Sequence, residues 1–150
     1  MIRQAEIKDI EDVIKLRMAL IKEANHIEDE EELSELEVNV TQYLQEHLTK
    51  EFLAWVIEED GEIVAASGLN LLSKPPTYSN PTGKEGFIMN IYVAPSHRGK
   101  GYATSLVNQI ITYLKGTDYK KVSLVATSAG RSVYEKIGFK IKDSVMEYSL

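Results

Sequence analysis

A chain of 150 residues fits one domain, 1–150, and a domain of that length buries roughly 70% of the surface its unfolded form exposes. Hydrophobic residues make up 43% and charged residues 27%, which excludes wholesale disorder and fibrous architectures. A net charge of -6 repels a nucleic-acid backbone, no apolar run approaches the roughly 18 to 20 residues of a membrane span, and MIRQAEIKDI lacks an apolar signal-peptide core. The expectation is a cytoplasmic protein with neither nucleic acid nor membrane as partner.

In chain order, residues 2 to 7 predict a strand, and Asp9 with Asp12 three positions later predicts a helix cap. Ile10, Val13, Ile14, Leu20 and Ile21 follow with a 3.6 period. After the acidic bend HIEDEEELSELE, a second helix carries the stripe Leu33, Leu36, Val40, Tyr43, Leu44 and Leu48. Phe52 to Glu58 and Glu62 to Leu72 read as a hairpin joined at Asp60-Gly61. The segment SKPPTYSNPTGK, with three of the four prolines, predicts an irregular loop. A strand follows at 86 to 93, then a Gly-rich turn, a helix from Tyr102 to Lys115 stopped by Gly116, and a strand at Lys121 to Ala126. A short helix ending before Gly138 and a final strand pair through Leu150 complete the reading. The absence of cysteine excludes disulfides, thiolate metal sites and a cysteine nucleophile, and His26, His47 and His97 have no ligand spacing, so no metal is expected.

The chemistry concentrates in IYVAPSHRGKGYATSLVNQII. Pro95 ends a strand, Gly99 and Gly101 permit close approach to the backbone, and an apolar-periodic helix begins at once. Such a turn aims several free N–H groups at one point, which attracts phosphate, and Arg98 and Lys100 add positive charge. No window satisfies G-x-x-x-x-G-K-[ST], and G-x-G-x-x-G fails because position 104 is threonine. Nucleoside triphosphate and dinucleotide readings therefore lose ground.

What fits is R-x-x-G-x-A at Arg98, Gly101 and Ala103, which resembles the pyrophosphate loop of the GNAT superfamily of N-acetyltransferases. The preceding IYVAP is similar to that family's fourth strand, and SAGRSVYEKIGF to its later helix with a tyrosine and a closing Gly-Phe. The resemblance covers residues 86 to 139. It implies a mixed α/β fold, mostly antiparallel, with a splayed parallel pair at a cofactor cleft and flanking helices. It also implies acetyl-CoA as co-substrate and a homodimer as a family analogy.

Residue by residue, the resemblance places the pyrophosphate on the backbone from Arg98 through Gly99, Lys100, Gly101, Tyr102 and Ala103, with Thr104 beside them. Backbone groups of Ile91 and Val93 would pair with the pantetheine arm, while their side chains serve the core. Tyr134 takes the place of the acid that protonates the departing thiolate; a phenol of pKa about 10 stays protonated at pH 7. Two positions depart from the family pattern. Thr127 stands where many relatives have asparagine, and Phe87 where a subset has a glutamate base. Glu85, two residues earlier, reads either as a base acting through water or as a solvated surface carboxylate, and Asn90 as a group that positions the amine; neither is assigned as the base.

Seven carboxylates between Glu28 and Glu37 lie where the resemblance places the acceptor end of the cleft and either attract a cationic amine or form a solvated helix face; the loop at Tyr78 reads either as a cover for that end or as a plain surface loop. Two functions stay open: direct acetyl transfer to a primary amine, or a non-catalytic acyl-CoA-binding or partner-binding module on the same fold.

Overall fold

The computed structural model describes every residue except Asp143. Five strands form one sheet in the order β1 (Ile2–Gln4), β2 (Phe52–Glu59), β3 (Glu62–Ser73), β4 (Lys84–Val93) and β5 (Lys121–Leu124). The first four pair antiparallel, and β4 with β5 is parallel. Helices α1 (Ile10–Ala24) and α2 (Ser34–His47) cover one face; α3 (Tyr102–Lys115) covers the other, with α4 (Arg131–Ile137) beside it. This is the mixed fold the motifs imply. No helix among the described residues is long and apolar enough to cross a membrane.

The run FLAWVI in β2 is apolar on both faces because both faces are covered. Leu53, Trp55 and Ile57 pack with Leu106, Val107, Ile110 and Leu114 of α3, whereas Phe52, Ala54 and Val56 meet Val13, Leu16 and Leu44 of the first two helices. Asp60 and Gly61 both have positive φ, 50° and 82°, as a two-residue turn matched to strand twist requires. Helix α3 runs over the expected Tyr102–Lys115 and stops at Gly116, and its inward stripe of Leu106, Val107, Ile110 and Leu114 is fully buried.

Three expectations change. The opening strand ends at Gln4, and Asp9 does not cap α1. Its carboxylate receives both terminal nitrogens of Arg3, at 2.7 and 2.9 Å, and the N–H of Glu6 at 2.8 Å. A bidentate guanidinium on the adjoining strand outcompetes the N–H groups of the helix start. The Arg3 hydrogen bonds, against the opposing effect of burial, lower the Asp9 pKa from 3.8 to about 2. That difference is worth about 2 kcal/mol. It is fully present above pH 3.8 and is lost as pH falls through 2. Lastly, no strand follows β5 among the described residues, so the expected closing pair is absent. Val145, Met146, Tyr148 and Leu150 stand exposed to solvent.

Candidate active site

Strand β4 changes character halfway along. It pairs with β5 from Glu85↔Lys121 to Ile88↔Leu124, and no pairing with β5 follows. On the β3 side the register passes from Gly68↔Met89 to Ala66↔Tyr92, so Asn90 and Ile91 together oppose Ser67 in a bulge. Asn90 adopts φ 60°, a left-handed conformation that asparagine tolerates better than most residues. Its Oδ1 and the Ser67 Oγ are buried without a hydrogen-bond partner. Beyond the bulge, the N–H of Ala94 donates to the Val64 carbonyl at 2.8 Å, which puts Ala94 and Tyr92 in the phase bonded to β3. Val93, and by the same alternation Ile91, therefore turn their backbone groups to the bare edge.

The loop after β4 leaves a run of donors open. Gly99 and Gly101 have φ 81° and 78°, which strain any L side chain, and nothing lies within 4 Å of where their Cβ atoms would stand. The first hydrogen bond of α3 runs from the Ser105 N–H to the Gly101 carbonyl, 3.0 Å. Among the described residues, the N–H groups of Gly99, Lys100, Gly101, Tyr102, Ala103 and Thr104 have no acceptor in the chain. The Arg98 N–H, by contrast, already reaches the Pro95 carbonyl at 3.4 Å, so the cradle begins one residue later than the motif suggests. The positive end of the α3 dipole adds to the same point.

The two cations of the loop are not free. Arg98 places its terminal nitrogens 2.9 and 2.8 Å from the Glu23 carboxylate, and its Nε donates to the Val93 carbonyl at 2.9 Å. Its guanidinium lies 5.4 Å from the centre of the Tyr92 ring. Hydrogen bonding to Arg98 holds the Glu23 carboxyl below its usual range. Arg98 thus ties the end of β4 to the last turn of α1, and positions the loop rather than pointing into it. Lys100 sits 3.3 Å from Glu59 Oε2, which His97 Nε2 also approaches at 3.2 Å. Glu23 and Glu59 were invisible as site residues in the sequence. Each meets its partner across 75 and 41 positions, beyond any local pattern.

Tyr134, on α4, packs on the same apolar cluster as Ile91 and Val93. Gly130 makes room for it, since a Cβ there would stand 3.0 Å from Tyr134 Cε2. Phe139 meets the ring edge-to-face at 6.3 Å. Burial pushes the phenol pKa above 10, so the group stays protonated at pH 7. Thr127 accepts the Gly130 N–H on Oγ1 at 3.2 Å and starts the α4 turn.

Other candidates are placed elsewhere. Glu85 is 4% exposed, neither solvated nor near the bulge, and sits where β4 is still paired on both sides. It accepts from Lys74 Nζ at 3.0 Å and from the Ser123 hydroxyl. Burial opposes its ionisation, but these two donors outweigh burial and lower its pKa, which makes it a poor base. Tyr78 is fully exposed at the tip of its loop and covers nothing. Of the acidic run, Glu30 and Glu37 line a groove of about 630 Å³ between α1 and α2, facing Lys15 and Lys22. Lys22 pairs with Glu30 at 3.0 Å, and Asp29 accepts the Glu31 N–H at 2.9 Å.

Comparison with known proteins finds relatives of the same fold. The chain superposes on a predicted acetyltransferase from Clostridium acetobutylicum, solved with acetyl-CoA, with TM-score 0.89 and 31% identity over 99% of this chain and 95% of that one. A GCN5-related N-acetyltransferase from Ralstonia eutropha JMP134 gives TM-score 0.82 and 28% identity over 99% and 97%. In sequence the chain is 28% identical over 110 residues to N-acetyltransferase 8 of Rattus norvegicus; the match takes in 67% of this chain and spans about half, 48%, of that relative. The acetyltransferase (GNAT) family pattern matches residues 17–139, most of the domain, including the loop after β4, α3 and α4, and the chain belongs to that family.

Proposed function

We propose that this chain transfers acetyl from acetyl-CoA directly to a primary amine. The observation that carries the reading is the row of six unpaired N–H groups, Gly99 to Thr104, at the start of α3 and beside the bare edge of β4. Clustered amides at a helix start suit a pyrophosphate, and an unpaired strand edge suits the amides of a pantetheine arm. The solved relative that carries acetyl-CoA supports the same choice.

In this reading the amine forms the new C–N bond at the thioester carbonyl and the C–S bond breaks. The Val93 N–H, turned to the bare edge, stabilises the developing oxyanion. Tyr134 gives its proton to the leaving thiolate, and the amine proton passes to water. No side chain is assigned as base. The acceptor carries a positive charge near its reacting amine and is drawn by Glu28, Glu30 and Glu37, while the amine itself attacks in its neutral form; Glu28 lines a second hollow with Glu23, His26 and Tyr92.

A second reading, a non-catalytic acyl-CoA-binding module, is favoured by Phe87 at the base position and by Glu85 being tied to Lys74 and Ser123. Calorimetry with acetyl-CoA, CoA, ATP and NAD, followed by thiol release over a panel of amines, separates the possibilities. Enzymatic transfer requires tight acetyl-CoA binding and release with at least one amine. Binding without release for any amine leaves the module, and preference for ATP or NAD removes both.

A further inference from the structure

The hydrogen bonds of Arg98 join the end of α1 to a single peptide group of β4. Its terminal nitrogens meet the two oxygens of Glu23 at 2.9 and 2.8 Å, and its Nε donates to the Val93 carbonyl at 2.9 Å. The other side of that peptide is also held, because the Ala94 N–H donates to the Val64 carbonyl at 2.8 Å. The plane between Val93 and Ala94 is therefore fixed at both ends, by β3 through its N–H and by Arg98 through its oxygen. A peptide is rigid, so this restrains rotation at Val93 and with it the direction of the Val93 N–H on the bare edge. Glu23 is itself presented from a firm turn. The Ile27 N–H reaches the Lys22 carbonyl at 3.1 Å, and the Asn25 side chain donates to the Ile21 carbonyl at 2.8 Å. Both partners of the Glu23–Arg98 pair are about half exposed, so it adds little to stability. What the bidentate pair supplies is geometry. It also engages a charge that directly precedes the cradle at Gly99, where a guanidinium without a carboxylate would turn to phosphate.

We propose that Glu23 is a positioning residue: it holds Arg98 on the Val93 carbonyl, which aims the Val93 N–H at the thioester oxygen, and it withholds the guanidinium from the pyrophosphate. The role rests on acetyl transfer with Val93 as the oxyanion donor. Its consequence is a split between binding and turnover. A guanidinium on the pyrophosphate would grip ground state and transition state alike, whereas a well-aimed N–H acts on the charge that develops in the transition state.

Glu23→Ala removes both acceptors and suits a helix. In NMR spectra of the unliganded protein, the Arg98 Nε–H signal is expected to be protected from exchange in the wild type and lost in the variant, with the Val93 and Ala94 amide signals displaced. Calorimetry is expected to find acetyl-CoA bound about threefold or more tightly by the variant, while kcat for thiol release with the most active amine falls by about tenfold. Arg98→Lys keeps the charge but cannot bridge Glu23 and Val93 together. It is expected to lower kcat by a similar factor, and the double variant to be no slower than either single one. Acetyl-CoA affinity no tighter than wild type in Glu23→Ala overturns the proposal, as do unmoved Val93 and Ala94 signals or additive losses in kcat. A wild type that releases no thiol with any amine refutes acetyl transfer instead; the hold of Glu23 on Arg98 and Val93 is still decided by the spectra and the affinity, which need no turnover.

Discussion

The two halves of β4 are paired differently. From Glu85 to Ile88 the strand is bonded on both edges, and its one carboxylate, Glu85, is buried and neutralised by Lys74. From Met89 to Val93 it has one bare edge, a residue in the left-handed region and a carbonyl side-chain oxygen with no partner. The first half is scaffold, with every polar group answered. The second half leaves the Asn90 side-chain oxygen unanswered, and a buried polar atom without a partner carries a desolvation cost. One strand thus carries both a doubly paired stretch and a bare edge, because a bulge changes its pairing without ending it.

The largest expected effect is at the open end. Tyr134→Phe keeps the ring against Phe139 and Gly130 and removes the hydroxyl, so kcat should fall by about 10- to 1000-fold while the acetyl-CoA Kd stays within about twofold. In the wild type, the alkaline limb of the kcat profile should lie above pH 10, the direction in which burial moves this phenol. Unchanged kcat in the variant would break the assignment.

Next is the cradle. Any side chain at Gly101 is strained by φ 78°, so the informative comparison is Gly101→Asp with Gly101→Asn, two nearly equal shapes that tolerate this conformation and differ in charge. Calorimetry should find acetyl-CoA bound at least tenfold more weakly by the aspartate variant, about 1.4 kcal/mol. Equal affinities would mean that no phosphate approaches the loop.

The paired half should respond in stability rather than in binding. Glu85→Gln weakens two charge-assisted hydrogen bonds and is expected to lower the unfolding free energy by about 1 to 3 kcal/mol at pH 7, with acetyl-CoA affinity retained. Since the native pKa of Glu85 is lowered, its contribution is present above 4.5 and fades as pH falls below it. The gap between wild type and variant in denaturant titrations should therefore close on acidification. A large loss of cofactor affinity instead would show that the halves of β4 are not separate.

The smallest effect lies outside both halves. Glu30→Gln, Glu31→Gln and Glu32→Gln together should flatten the salt dependence of kcat/KM for a cationic amine by a few-fold and leave acetyl-CoA binding alone. A salt slope identical to wild type would mean that the acidic run faces only water, and the exposed Glu30–Lys22 pair already screens part of it.

Much of this protein was legible in its residues because the signals are local. The Asp60-Gly61 turn, the bounds of α3 between Gly101 and Gly116, and the phosphate-suited loop all arise from backbone preferences within a few positions. Tyr134 is singled out by its place in SVYEKIGF, and the fold packs it on the same apolar cluster as Ile91 and Val93. What the tertiary structure alone decided is long-range pairing. Arg98 and Lys100 read as phosphate ligands until Glu23 and Glu59, far away in the chain, claim them. Glu85 reads as exposed until Ser123 and Lys74 enclose it, and Asp9 reads as a cap until Arg3 arrives from the adjoining strand. The closing strand pair is a case of the same kind: an alternating pattern states that a segment can be a strand, but a strand exists only where another edge meets it, and only the assembled sheet determines which edges are available.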